Sequence, residues 1–193
     1  MTTDNATLSL SAGATQRKAT VDPAVKARNI KLLLLDVDGV LTDGGIWYTD
    51  AGDELKRFHV RDGSGLRIWQ DAGLKVAILS GRTSAAVERR AKELGIFPII
   101  QGQADKRAAL SDILTATGAT ADQVCAVGDD LPDIPLMTAC GLSAAVADAA
   151  AEVRAVASFT TAMPGGRGAV REVIEWLLKL RGEWTAAVGK YTI

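Results

Sequence analysis

Apolar residues fall along this chain in short runs separated by longer polar stretches. "KLLLL" (31–35), "KVAIL" (75–79), "FPII" (97–100), "VCAVG" (124–128) and "LSAAV" (142–146) have the length of buried strands. Between them, "TSAAVERRAKELG" (83–95) and "KRAALSDILTATG" (106–118) repeat apolar residues at helical spacing. Thr83 or Ser84 caps the first helix, Gly95 ends it, and Gly118 ends the second. Strands that alternate with helices predict an α/β fold with a parallel, doubly wound, Rossmann-like sheet.

Two segments break the rhythm. "GGIWYTDAGDELKRFHV" (44–60) predicts a β-hairpin, with "IWYT" and "LKRFHV" flanking a turn at "DAGDE". "PGGRGAVREVIEWLLKL" (164–180) predicts a glycine-rich loop feeding an amphipathic helix. The Ala-rich stretch 144–157 blurs its own helix boundaries, and no internal repeat is present. Residues 1–29 show no sustained apolar period and are expected to form a disordered or loosely attached arm. One domain is then expected over 30–182, followed by a tail over 183–193.

Composition narrows the classes of function. A chain of 193 residues, 48% hydrophobic and 23% charged, can bury one good core. Its net charge of -1 is scattered, which disfavours nucleic acid or an anionic membrane as partner and favours a small molecule. Cys125 and Cys140 stand in apolar contexts without metal-ligand spacing, so buried free thiols in a reducing cytoplasm are expected. No signal-peptide pattern is seen, and no apolar run approaches the roughly 20 residues that span a bilayer. Cytoplasmic localisation follows as an expectation.

The chemistry sits at the strand ends, where open parallel sheets bind ligands. "LLLLDVDGVLTDGG" (32–45) ends a strand in Asp36 and Asp38; "ILSGR" ends in Ser80, Gly81 and Arg82; "AVGDDLPD" ends in Asp129, Asp130 and Asp133. Lys106 opens a helix between them, where its ammonium and the helix N-terminus both suit an anion. Taken alone, D-x-D-G also reads as a turn. An EF-hand loop is excluded, because Val40 occupies a ligand position. With His59 as the single histidine and no G-x-S-x-G elbow, a Ser-His-Asp hydrolase is disfavoured. "GSGLRI" (63–68) has Ile68 where a dinucleotide loop needs a small residue, so NAD binding is discounted. His59 is read as structural rather than substrate-binding, and Trp69, Trp176 and Trp184 as packing residues.

This ordered set, from DxDG through SGR and Lys106 to GDDxxD, resembles the haloacid dehalogenase superfamily of aspartate-nucleophile phosphohydrolases over residues 31–146. "FHVRDGSGLRIW", "QGQADKRAAL", "GDDLPDIPLM", "GLSAAVADA" and "GGRGAVREV" extend the likeness, over about 31–180, to the 3-deoxy-D-manno-octulosonate 8-phosphate (Kdo-8-phosphate) phosphatases. The resemblance implies that Asp36 is the nucleophile and Asp38 the general acid/base, held protonated by a neighbouring carboxylate and partial desolvation. It implies Mg²⁺ held by Asp36, the Asp38 backbone carbonyl and Asp129, with Asp130 and Asp133 orienting waters or Lys106. Ser80, Gly81 and Lys106 would hold the transferring phosphoryl oxygens.

Too little chain lies between the motifs for a cap domain, and the resembling phosphatases are capless homotetramers, so a homotetramer is expected. Their C-terminal tails can approach active sites, and "WTAAVGKYTI" either does likewise or frays. Relatives that act on nine-carbon sialic-acid-like 9-phosphates resemble Glu where this chain has Arg82, which points here to the eight-carbon sugar acid of lipopolysaccharide synthesis. Arg61 or Arg167 would pair with the substrate carboxylate. The alternatives are a phosphatase of another sugar phosphate and a non-catalytic oligomeric scaffold.

Overall fold

A computed structural model describes residues 22–191. Its elements in chain order begin with α1 (Pro23–Asn29), β1 (Leu32–Leu35), β2 (Trp47–Tyr48), β3 (Glu54–Leu55), α2 (Val60–Asp71) and β4 (Lys75–Leu79). Then come α3 (Ala85–Leu94), β5 (Ile99–Ile100), α4 (Lys106–Thr117), β6 (Val124–Gly128), α5 (Ile134–Met137) and β7 (Leu142–Ala145). The chain continues through α6 (Ala151–Val156), β8 (Phe159–Thr160), α7 (Ala169–Leu180) and α8 (Trp184–Val188).

Six strands form one parallel sheet in the order β5-β4-β1-β6-β7-β8. β1 lies at its centre because it is apolar on both faces: Leu32, Leu33, Leu34 and Leu35 are all fully buried. Each such side chain contributes about 1.5–3 kcal/mol relative to exposure. From β1 the chain winds outward to β4 and β5, then returns across the sheet to β6, β7 and β8. The carboxyl end of β1 is therefore beside the crevice where the winding reverses, the place at which open α/β sheets bind ligands. Helix α2 packs on α7, which also meets α1 and α8, while α4, α5 and α6 form a second contacting group. The doubly wound sheet agrees with the pattern read from the apolar runs.

The predicted helix stops are present, with Gly95 and Gly118 both in the left-handed region. Ser84 is the N-cap of α3 by backbone position, though its side chain makes no capping hydrogen bond. The hairpin is present in shortened form, two residues per strand, with Trp47 opposite Leu55 and Tyr48 opposite Glu54. "GSGLRI" lies inside α2 rather than in a loop. Trp69 is buried and donates to the Lys75 carbonyl, and Trp176 stacks on Phe159 with ring centroids 4.6 Å apart. Phe159 belongs to β8, an edge strand the sequence pattern does not announce because only two residues form it. Cys125 and Cys140 are free thiols, and burial pushes the Cys140 thiol up to about 12.

The expected loose arm needs correction at its C-terminal end; residues 1–21 lie outside the described residues. Pro23–Asn29 form α1, with Pro23 in its first turn and the Asp22 carboxylate accepting from the Ala24 N–H at 2.9 Å. Ala27 is buried, and Arg181 donates to the carbonyls of Ala27, Arg28 and Ile30. A distant arginine thus satisfies the helix end, a tertiary contact with no local signal. Pro23 fits the first turn, where a missing N–H costs no intrahelical bond, so Asp-Pro starts a helix here. Of the tail, residues 183–191 are ordered too, and 192–193 lie outside the described residues. Helix α8 packs on α2 and α7, and Trp184 lies under Arg171 and Lys179. Among the described residues, no helix is long and apolar enough to cross a membrane.

Candidate active site

Four loops at the carboxyl edge of the sheet meet in an open cleft of ≈ 400 Å³ lined by Asp36, Asp38, Ser80, Gly81, Arg82, Lys106, Asp129, Asp130 and Asp133, with Ala104 and Pro132. Every expected site residue is there except Arg61 and Arg167. Those two border a separate concavity with Met163, Arg171, Glu172 and Glu175. Arg167 faces Asp43 at 3.7 Å, so within one chain neither arginine joins the cleft. Arg61 lies in the first turn of α2 and Arg167 just before α7, and the packing of these two helices on each other puts both arginines on that second concavity.

Asp36 directly follows β1 and keeps 9% of its surface exposed, at the floor of the cleft. Lys106, the first residue of α4, is nearly buried, with its Nζ 2.9 Å from Asp36 Oδ1 and 2.6 Å from Asp133 Oδ1. The other Asp133 oxygen accepts from the backbone N–H groups of Asp129 and Asp130, at 3.0 and 3.3 Å. Asp133 is thus fully engaged in holding Lys106 and the β6 loop. Asp130 is exposed and caps its own turn, accepting from the Leu131 N–H at 2.8 Å. Ser80 is buried behind Gly81; its N–H donates to the Ile100 carbonyl, and its Oγ accepts from the Arg82 N–H.

Carboxylate oxygens of Asp36, Asp129 and Asp133 lie within 4.8 Å of one another. Because Asp133 is already committed, Asp36 and Asp129 are the two with capacity to spare. Among the described residues nothing hydrogen-bonds the buried Asp129 Oδ1, an expensive arrangement unless a cation completes it. The backbone opposite is Gly39, at φ +88°, where a Cβ would lie 2.0 Å from Asp129 Oδ2. A hard divalent cation such as Mg²⁺ fits this donor set.

Electrostatics agree. Burial first, then the charges of Asp36 and Asp133, raise the Asp129 carboxyl to about 8. Burial raises Asp36 to about 6, although Lys106 pulls the other way. For Lys106, burial disfavours the ammonium, but Asp36 and Asp133 outweigh it and the net shift is upward. Both acids therefore hold protons in the folded, metal-free chain over a range where the unfolded chain has lost them. Stability from these two groups is present near pH 4 and is lost as pH rises through about 6 and about 8. The gain in Tm on adding Mg²⁺ over EDTA is accordingly expected to grow between about pH 5.5 and about pH 8.5. Thermal scans across that range check this; a gain independent of pH would contradict it.

Asp38 departs from expectation. Its neighbours are cations, not a carboxylate: Lys56 donates to Oδ1, and Arg82 Nε lies 3.5 Å from Oδ2. Glu54 ties both together, 2.7 Å from Arg82 and 3.5 Å from Lys56. The physical reason is the hairpin, which folds back over the strand end and places the Lys56 side chain, 1% exposed, against Asp38. Lys56 and Glu54 are the site residues that sequence reasoning missed. Their signal is an inverted alternation: in "ELKRF" the charged Glu54 and Lys56 face inward while Leu55 faces solvent.

Comparison with known proteins places this arrangement in context. Residues 91–174 match the model of the haloacid dehalogenase-like hydrolase family. The 3-deoxy-D-manno-octulosonate 8-phosphate phosphatase of Escherichia coli (strain K12) is 47% identical over 169 residues, 88% of this chain and 90% of the relative. That of Haemophilus influenzae is 43% identical over 158 residues, 82% of this chain and 88% of the relative. Among solved structures, the Moraxella catarrhalis phosphatase in complex with magnesium, phosphate and KDO superposes with a TM-score of 0.85 at 43% identity, covering 88% of this chain and 97% of the other. The cobalt-bound Haemophilus influenzae enzyme gives a TM-score of 0.80 at 42% identity, covering 83% and 94%. This chain belongs to the 3-deoxy-D-manno-octulosonate 8-phosphate phosphatase family of the haloacid dehalogenase superfamily.

Proposed function

We propose that the protein is a Mg²⁺-dependent phosphoric monoester hydrolase that converts Kdo-8-phosphate to Kdo and phosphate. The observation that carries the reading is the pairing of Asp36 with Lys106 at the end of the central strand, beside Asp129, whose buried Oδ1 lacks a partner among the described residues. Chelation should stop turnover and added Mg²⁺ restore it; phosphate release unaffected by EDTA would overturn the metal assignment.

In this reading Asp36 attacks phosphorus and carries the phosphoryl group as an aspartyl-phosphate, which water then hydrolyses. Asp38 gives a proton to the leaving alkoxide in the first half and takes one from water in the second. Its contacts with Lys56 and Arg82 must rearrange when substrate enters, because both of its oxygens face cations in the free chain. Lys106, the Ser80 hydroxyl and the Gly81 backbone hold the equatorial phosphoryl oxygens, where transition-state charge is spread. Mg²⁺, held by Asp36, the Asp38 carbonyl and Asp129, supplies compensating charge when bound. Asp133 keeps Lys106 aimed, and Asp130 lies at the rim of the same loop.

Arg82 is the one of the three proposed substrate arginines that reaches the cleft. Its half-exposed guanidinium, held by Glu54, is placed to meet an anionic group of the sugar acid. Arg82→Ala is expected to lower kcat/KM for Kdo-8-phosphate by about tenfold or more, the worth of one charged hydrogen bond, and to leave an aryl phosphate nearly unchanged. Equal losses on both substrates would remove Arg82 from substrate recognition.

The assembly proposed is a homotetramer in which neighbours close the capless cleft. Support comes from the hairpin, where Trp47 and Tyr48 are 62% and 65% exposed and Leu55 beside them also faces solvent. Such an apolar patch on a short edge is what an interface covers. Light scattering after gel filtration should give four chains per particle, and Trp47→Asp a smaller species; a monomeric wild type would contradict the proposal.

A further inference from the structure

Asp62 is a buried carboxylate without a role in the reaction described above, and it is 1% exposed. It stands in the first turn of α2, yet its hydrogen bonds run to the start of α7: Oδ2 accepts from the Gly168 N–H at 3.2 Å and Oδ1 from the Arg171 N–H at 2.9 Å. The carboxylate thus caps a helix more than a hundred residues away in sequence. Among the described residues no lysine or arginine pairs with it, and the basic group that faces it is His59, whose Nδ1 is 4.0 Å away. Burial raises the Asp62 carboxyl, against the pull of those N–H donors. A buried acid held, among the described residues, by backbone donors is a costly way to cap a helix, and what that helix start carries explains it.

The loop entering α7, residues 164–168, runs directly against the segment that follows Asp36 and Asp38. The Gly166 N–H donates to the Val40 carbonyl at 3.0 Å. At Gly165 a Cβ would fall 1.6 Å from the Gly39 carbonyl oxygen, so the two backbones are in contact with no room for a side chain. The loop's other anchor is Asp148, which accepts from the Gly165 N–H at 2.9 Å. Gly39 is in turn the residue beneath Asp129 Oδ2. The connection is contiguous: Asp62 to the α7 start, glycine loop to Gly39 and Val40, and these to Asp36 and Asp38.

We infer that Asp62 is a positioning residue for phosphoryl transfer, a strut that presses the 164–168 loop onto the nucleophile loop and fixes Asp36 and Asp38 relative to Asp129. The inference rests on the proposed roles of Asp36 and Asp38. Displacements of about 1 Å at a reacting group can cost about 100-fold in rate. Asp62 touches no part of the cleft, so its loss acts on the chemical step of every substrate alike and not on recognition of the sugar.

Asp62→Asn keeps the size of the side chain but turns an acceptor toward an N–H into a second donor. Steady-state kinetics on Kdo-8-phosphate and on an aryl phosphate should show kcat lowered by about 10- to 100-fold on both, with KM within about threefold. Leu177→Ala serves as control: Leu177 is buried on the far half of α7, so its truncation lowers Tm without reaching the loop and should leave kcat unchanged at a temperature where the protein is folded. If Asp62→Asn does not fold, Gly166→Ala replaces it, since a Cβ there would lie 2.4 Å from the Thr42 carbonyl carbon and push the same loop away. The same kcat-only loss is expected. A folded variant with kcat within about twofold of wild type overturns the strut, provided Asp36→Asn is inactive. Activity in Asp36→Asn would instead overturn the underlying catalytic reading. Equal kcat losses in Asp62→Asn and the Leu177→Ala control would reduce Asp62 to a stability residue.

Discussion

Asp36→Asn is expected to abolish phosphate release, by about 10⁴-fold or more, while the protein stays folded. An amide of the same shape has no free charge with which to attack phosphorus, and loss of a nucleophile removes the covalent route entirely. The fold should survive because the Lys106 ammonium keeps its 2.6 Å contact with Asp133. Asp36 also lies where burial disfavours its charge, so neutralising it relieves a cost in the metal-free chain. Circular dichroism and a phosphate-release assay on one preparation check both halves. Residual activity above about a tenth of wild type would remove Asp36 from the nucleophile role.

Asp129→Asn should separate activity from stability with opposite signs. Turnover is expected to fall by about 100-fold or more, since one of two carboxylates with capacity for Mg²⁺ becomes neutral. Stability without metal should rise at pH above about 8, where wild-type Asp129 must ionise beside Asp36 and Asp133 with one buried oxygen unpartnered among the described residues. Functional sites often store unfavourable charge in this way. Thermal scans in EDTA at about pH 8.5 should place the variant above wild type, and Mg²⁺ should stabilise it less. A variant less stable than wild type without metal would mean that the acidic cluster is not strained.

Most of the fold is legible in the sequence because its sheet is parallel and central. Leu32–Leu35 are apolar on both faces, so a run without alternation announces a strand buried on each side. Asp36, Ser80, Lys106 and Asp129 are legible for a related reason: strand ends converge by topology, so four short motifs imply one cleft without any knowledge of side-chain packing. What escaped depends on contacts between distant segments. Helix α1 is read as a loose arm because Arg181, some 150 residues away, completes its end. Lys56 and Glu54 escaped because a hairpin strand with charge inward and leucine outward makes sense only once the strand end beneath it, and an interface above it, are considered. Arg61 and Arg167 were candidates by residue type alone, and the packing of α2 on α7 sets them apart from the cleft.

The most direct test is phosphate release with Mg²⁺ from Kdo-8-phosphate, a nine-carbon sugar-acid 9-phosphate and a simple aryl phosphate, compared as kcat/KM on one preparation. The predicted result is a preference for Kdo-8-phosphate over both by orders of magnitude. Comparable slow turnover of all three, or preference for the 9-phosphate, would contradict the substrate assignment.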